Sequence, residues 1–168
     1  MINLVTRYLD LFTEKFGRAL AVTPLALVLV QFSVVLLVYI FSKGSIKLQE
    51  SLYYINGIMF LGGAGYTALH DDHVRVDLFY SKFSDKTKNI INLVGSLFLL
   101  IPVLVLLWVT AVPFAADSWV VFEGSTETGG LHLVYLLKST VLLFAFTLTI
   151  NAVSTILKLV VALFGDKS

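Results

Sequence analysis

Residues 19–41 of the chain read ALAVTPLALVLVQFSVVLLVYIF, a run that contains no Asp, Glu, Lys or Arg. As an α-helix this run extends about 35 Å at 1.5 Å per residue, which is enough to cross roughly 30 Å of bilayer hydrocarbon. It is about twice as long as the apolar region of a signal peptide, and no small-residue cleavage site follows it. The run therefore predicts a permanent transmembrane helix.

The composition of the whole chain favours the same class of protein. The chain has 168 residues, of which 58% are hydrophobic and 14% are charged, and its mean hydropathy is +0.90. A soluble domain has about 25% charged residues, so this chain is too apolar for one water-soluble core. A net charge of +1 gives no indication of nucleic-acid binding, and the absence of cysteine excludes disulfides and thiolate chemistry.

Three more apolar stretches follow the first. The sequence predicts an all-α membrane protein with one membrane domain, residues 1–168, and four transmembrane helices, at about residues 19–41, 51–69, 90–116 and 131–164. Residues 1–18 mix apolar and charged side chains, which predicts an amphipathic segment on the membrane surface before the first span. Residues 70–89 are the main polar break and predict an interfacial connector.

Lysine and arginine predict the orientation of these helices. Nine of them lie in the N-terminal tail, in the connector and at the C-terminal end, whereas the two opposite loops together hold two. Because positively charged loops stay in the cytoplasm, both termini and the connector are expected inside. The loop at residues 117–130, with three acidic residues and no basic one, is expected outside.

The second predicted span is the least hydrophobic and the richest in glycine. Gly57, Ala64 and Ala68 share one face of this helix, because they are separated by seven and four residues. Small residues on one face let another membrane helix approach closely. This span is therefore expected to be central and not to face lipid.

Few residues are candidates for a catalytic, metal or cofactor site. His70 and His73, with two aspartates between them, have the residue types of a metal site, but nothing supplies the rest of a closed ligand shell. A solvated helix end at the cytoplasmic surface is the favoured interpretation. No Asp or Glu lies in the middle of a span, so the sequence predicts no catalytic, metal or cofactor site and no enzyme.

Lys138 is the exception in an otherwise uncharged membrane interior, about 10 Å along the helix from Leu131. Its ammonium group either reaches the outer interface, or forms a salt bridge with Glu50, or pairs with a carboxylate on another subunit. Asn151 and Gln31 are uncharged, and amides of this kind bond across membrane helices. A structural role is the favoured interpretation for both.

Several of these features, in this order, resemble the small membrane subunit of tripartite ATP-independent periplasmic (TRAP) transporters. The resemblance covers about residues 18–160, and Glu50 corresponds to the glutamate that opens the family's second span. The stretch FLGGAGYTALHDDHVRVDLF, residues 60–79, is similar to the family's small-residue helix and His-x-x-x-Asp connector. His73 and Asp77 fall on those two positions, with Arg75 between them.

The last part of the chain continues the resemblance. The stretch EGSTETGG, residues 123–130, followed by the lysine of YLLK, Lys138, is similar to the family's outer loop and lysine. Asn151 departs from the family, many of whose members have glutamine near that position. The resemblance rests on all four motifs together, in the same order and on the expected sides.

The resemblance implies a complex in a bacterial inner membrane. The small subunit would stand beside a large, many-spanning subunit that holds the substrate and sodium sites and moves by an elevator mechanism. A periplasmic binding protein would deliver an organic acid, and sodium gradients would drive uptake. The chain itself is expected to be a scaffold and docking subunit in contact with lipid, and substrate specificity is expected to lie in its partners.

Two alternatives stay open at this point. The first is a self-sufficient four-helix channel or exporter, which mid-span carboxylates would favour. The acidic residues Glu123 and Glu127 either help to dock the binding protein or belong to a solvated loop that is acidic only because basic residues are excluded from that side.

Overall fold

The computed structural model describes residues 2–70 and 80–165. This part of the chain is helical and contains no strand. The helices are α1 (Ile2–Leu20), α2 (Thr23–Tyr39), α3 (Ile46–Leu69), α4 (Asp85–Gly95), α5 (Ile101–Val120) and α6 (Val134–Phe164). A short 3₁₀ turn, Tyr80–Lys82, precedes α4, and a π-helical turn, Ser96–Leu100, joins α4 to α5.

Three helical segments in the described residues are long and apolar enough to cross a membrane: Ile2–Tyr39, Asp85–Val120 and Val134–Phe164. They overlap three of the four predicted spans. The fourth, α3, is also long enough, since its 24 residues extend about 36 Å. Its glycines, tyrosines and Asn56 make it less apolar than the other three, so the count of four spans stays a prediction.

The closest packing in the bundle joins α3 to α6, which run parallel. Gly57 lies beside Thr140, and Gly65 lies beside Thr147, seven to eight residues further along both helices. A Cβ atom on Gly65 would come within 2.8 Å of the Thr147 carbonyl oxygen. Only a glycine allows the two backbones to approach this closely.

The N-terminal helix packs against the bundle, which differs from the surface position expected for residues 1–18. Phe12 of α1 meets Phe146 edge to face, with ring centroids 6.1 Å apart, and Leu20 reaches the side of Gly62. Thr6 and Thr13 are buried. Because these contacts continue along α3 and α6, α1 runs beside both helices, and the expected position on the membrane surface is not confirmed.

Two features position α5. Proline at 102 has no N–H to donate, and the turn just before it widens, so that the Ile101 N–H bonds to the Ser96 carbonyl. Two indole groups then attach α5 to α6: Trp108 donates to the Thr149 hydroxyl at 3.0 Å, and Trp119 donates to the Ser139 hydroxyl at 2.8 Å. The end of α5 is thereby held beside the start of α6.

Candidate interaction site at the loop end of the bundle

The connection between α5 and α6 forms a compact loop, residues 121–133, at the end of the bundle where α3 begins. We call this the loop end. The chain turns through left-handed backbone at Phe122, with φ 46°, and at Gly129, with φ 85°. Backbone bonds then close the loop: Ser125 donates to the Leu131 carbonyl at 3.2 Å, and Val134 donates to the Glu123 carbonyl at 3.0 Å.

Glu50 of α3 holds the middle of this loop. Ser45 caps α3 by accepting a hydrogen bond from the Leu48 N–H, which sets where the helix begins and places Glu50 on its second turn. One carboxylate oxygen of Glu50 accepts a hydrogen bond from the Ser125 hydroxyl, and the other accepts one from the Leu131 N–H at 2.5 Å. Glu50 therefore joins α3 to both sides of the loop.

Lys138 of α6 holds the start of the same loop. Its ammonium group donates to a carboxylate oxygen of Glu123 at 2.5 Å and lies 4.7 Å from the centre of the Phe114 ring. The Lys138 side chain is 24% exposed and that of Glu123 is 36% exposed. Of the alternatives left open for Lys138, the salt bridge with Glu50 is not formed: Lys138 has an acidic partner in the loop, and Glu50 binds a hydroxyl and a backbone amide.

Ion pairing changes the acidity of Glu123. The hydrogen bond from Lys138 is the main reason that the pKa of the Glu123 carboxyl lies below its ordinary value, and the positive charge of the ammonium acts in the same direction. Glu123 thus stays ionised, and Lys138 is neutralised where it lies, which reduces the cost of an ammonium group at this depth. We call Glu50, Glu123, Ser125, Leu131 and Lys138 the loop clamp.

The clamp changes the interpretation of the two glutamates expected to dock a binding protein. Glu123 is engaged with Lys138 and is only partly exposed. Glu127 is exposed, and its backbone N–H donates to the Ser125 hydroxyl at 3.0 Å, so that the tip of the loop has a defined shape. Of the two, Glu127 is the exposed one.

A second group of polar contacts lies at the opposite end of the bundle and attaches α1. Asp10 receives an ion pair from Lys158 at 2.6 Å and a hydrogen bond from the Ser154 hydroxyl at 2.6 Å. Glu14 pairs with Arg18 of its own helix at 2.6 Å and lies 3.2 Å from His70 of α3. These pairs were not predicted from the sequence, although the spacing of Asp10 and Glu14 by four residues indicates a shared helix face.

Asn151 is buried on α6 and lines a cleft of about 830 Å³ near this end of the bundle. The cleft lies between α3, the α4–α5 segment and α6. Ala68 and Asn92 also line it, and Asn92 donates to the Tyr80 hydroxyl at 2.7 Å. A role for Asn151 in bonding between helices stays a prediction.

Helix α3 packs through only part of its expected small-residue face. Gly57 faces α6, but Gly62 and Gly65 are the buried glycines of this helix. Ala64 is half-buried and Ala68 lies at the cleft. The packing surface is thus rotated from the Gly57–Ala64–Ala68 line toward Gly62, which meets both α1 and α6, and Gly65, which meets α6.

The remaining site candidates of the sequence analysis, His73, Arg75 and Asp77, lie outside the described residues. Within residues 2–70 and 80–165, no three His, Asp or Glu side chains are placed to hold a metal ion. The described polar groups at the two ends of the bundle instead bind one another. Such an arrangement fixes helices and a loop in place.

The fold and the loop clamp together define a helical membrane protein in which charged side chains at both ends of the bundle bind other groups of the same chain. The sequence model of the DctQ component of tripartite ATP-independent periplasmic transporters matches residues 27–162. The chain therefore belongs to this family, the small membrane component of TRAP transporters, and the expected resemblance is confirmed. No curated protein and no solved structure matches the chain significantly.

Proposed function

We propose that this chain is the scaffold and docking subunit of a sodium-coupled TRAP transporter in a bacterial inner membrane. In this role it stands beside the large, many-spanning subunit, and a periplasmic binding protein delivers an organic acid to the pair. The large subunit performs translocation. The chain described here provides a fixed support against which the moving part of the large subunit slides.

The observation that carries this proposal is that charged side chains bind other groups of the same chain. Lys138 pairs with Glu123, Glu50 holds two loop groups, and Asp10 pairs with Lys158. A carboxylate engaged in this way has to give up its partner before it can coordinate sodium, and an engaged ammonium has to do the same before it can bind an organic acid. These groups therefore support a static structure better than a transport path.

The orientation follows from the nine-to-two distribution of Lys and Arg. Both termini and residues 70–89 face the cytoplasm, and the loop end faces the periplasm, where a binding protein arrives. The clamp then keeps the shape of the loop constant on that side. Exposed apolar side chains such as Phe32 and Val35 on α2 and Phe98 and Leu106 on α4–α5 are suited to contact with lipid and with the large subunit.

Reconstitution tests this function directly. Liposomes with a sodium gradient receive the chain alone, the large subunit with the binding protein, or all three components. Uptake of radiolabelled C4-dicarboxylate and of sialic acid is measured against empty liposomes. The proposal expects no uptake by the chain alone and full uptake only with all three. Uptake by the chain alone above the empty-liposome level contradicts it and supports a self-sufficient channel.

A further inference from the structure

Two carboxamide side chains differ from the other polar groups of the apolar helices. Gln31 lies at the middle of α2, about 12 Å from either end, and Asn56 lies on α3, roughly 9 Å along the helix from Glu50. Both are exposed, and neither forms a hydrogen bond to any other residue in the described ranges. Each therefore places an amide on an open surface of the bundle.

Hydroxyl groups on the same helices are satisfied locally. Ser33 of α2 donates to the Leu29 carbonyl at 2.8 Å, and Thr67 of α3 donates to the Gly63 carbonyl at 3.3 Å. A hydroxyl has one hydrogen to donate, and the carbonyl four residues earlier accepts it. A carboxamide has two N–H donors and an acceptor oxygen, so its own helix cannot satisfy it in this way.

Lipid cannot satisfy these amides at this depth. Hydrocarbon chains offer neither donors nor acceptors, so an amide that faces them keeps its hydrogen-bonding groups unpaired. Polar side chains in membrane helices are found where another helix supplies a partner. The position of Gln31 at the centre of its helix leaves little room for it to reach water at either end.

The surroundings of the two amides fit a neighbouring helix. No residue of α2 is buried, and Val28, 60% exposed, and Val35, 39% exposed, lie on the same stripe as Gln31. On α3 the corresponding stripe carries Tyr53 and Phe60 on either side of Asn56, both largely exposed.

Gly63, seven residues after Asn56 on this stripe, has open space within 4 Å of the position that a Cβ would occupy. The packing of the chain on itself therefore does not require a glycine there. The backbone of a neighbouring helix can approach closely at this point.

We propose that Gln31 and Asn56 lie in the contact with the large TRAP subunit and hydrogen-bond to polar groups on its membrane helices. This inference rests on the proposed function, since the large subunit is the membrane partner that the family assignment supplies. It names the α2–α3 side of the bundle as the docking surface and identifies the two side chains that specify it.

Cysteine cross-linking identifies the occupant of this surface. The chain has no native cysteine, so Gln31→Cys and Asn56→Cys each introduce one reactive position. A short thiol-reactive photo-cross-linker is attached in membranes that contain the large subunit. We expect an adduct with the large subunit from both positions. An adduct with a second copy of the chain, or with lipid alone, overturns the proposal.

Apolar substitution measures the contribution of the amides. The variant Gln31→Met, Asn56→Leu keeps side-chain size and removes the hydrogen bonds, and Ser33→Ala, Thr67→Val serves as the matched control on the same two helices. An average hydrogen bond between membrane helices corresponds to roughly a threefold change in affinity, so the double variant should bind the large subunit roughly eightfold more weakly. The unfolding midpoint of the chain alone should not fall, because neither amide has a partner in the described structure.

The outcomes separate this inference from the proposed function. If the unmodified chain does not co-purify with the large subunit, the proposed function fails. If the unmodified chain co-purifies and the double variant binds equally well, only the assignment of Gln31 and Asn56 fails. A loss of binding in the hydroxyl control equal to that of the amide variant also overturns the assignment, because it shows a general sensitivity of these helices to substitution.

Discussion

The carboxylate of Glu123 accepts a hydrogen bond from the ammonium group of Lys138 at 2.5 Å. Glu123 lies near the start of the loop and Lys138 lies beyond the first turn of α6, 15 residues later in the chain. This pair, and not one between Lys138 and Glu50, neutralises the charge in the last apolar helix. Glu50 is thereby available to hold Ser125 and Leu131, so a glutamate of α3 and a lysine of α6 fix one loop from two helices.

A double-mutant cycle tests the Glu123–Lys138 pair. Lys138→Met leaves a carboxylate without its partner, and Glu123→Gln leaves an ammonium without one, so the double variant should lose less stability than the two single losses added together. The measurement is the thermal unfolding midpoint in detergent. The Glu50→Gln, Lys138→Met cycle is the control and should be additive, and stronger coupling in the control cycle than in the Glu123 cycle would contradict the pairing.

The lowered pKa of Glu123 predicts a pH dependence of stability. The pKa of this carboxyl is lower in the folded state than in the unfolded chain, where it is about 4.3. Its contribution is therefore complete above about pH 4.3 and is lost as the pH falls through the folded-state pKa. Between pH 6 and pH 3 the unfolding midpoint should fall less steeply in Glu123→Gln than in the unmodified chain. Parallel curves would show that the pair does not contribute.

The attachment of α1 depends on Asp10. Asp10→Leu removes the partner of Lys158 and the acceptor of the buried Ser154 hydroxyl, and an unpaired buried hydroxyl costs about 1–3 kcal/mol. Asp10→Asn keeps an acceptor oxygen for Ser154, so it should lose only the ion pair, about 1 kcal/mol or less. Chemical unfolding in mixed micelles measures both, and equal losses would indicate that the Ser154 hydrogen bond is not formed.

The exposed Glu127 is the residue on which docking of the binding protein is expected to depend. A charge at the rim of an interface acts mainly on the rate of encounter, so Glu127→Gln should raise the binding-protein concentration for half-maximal uptake by roughly twofold to fivefold. The rate at saturating binding protein should stay near normal, and the defect should shrink as salt increases. Asp85→Asn, at the predicted cytoplasmic side, is the matched control. An unchanged concentration dependence in Glu127→Gln would show that the loop is acidic only because basic residues are excluded from the outer side.

Topology provides the last test. A reporter that is active only in the periplasm should be active when it is fused after Thr126 in the loop. The same reporter should be silent when it is fused after Lys86 or after Ser168, because the Lys and Arg distribution places both in the cytoplasm. The reverse pattern of activity would overturn the orientation and, with it, the docking role of Glu127.

The sequence by itself determined the helices, the apolar segments and the family. Runs of apolar residues without charges are local properties, and the length of such a run decides whether a helix can cross a bilayer. The motifs at Glu50, residues 60–79, residues 123–130 and Lys138 were together sufficient for the correct family, because their order along the chain is independent of how the chain folds.

Only the tertiary structure decided which charged groups meet. Lys138 lies within reach of a loop glutamate because the backbone reverses through left-handed conformations at Phe122 and Gly129, and no periodic pattern encodes that path. The side of α3 that is buried was decided in the same way, by α1 packing against Gly62 and by α6 packing against Gly65. A hydrogen bond acts over about 3 Å, so its partners depend on backbone positions that residue types and spacing leave open.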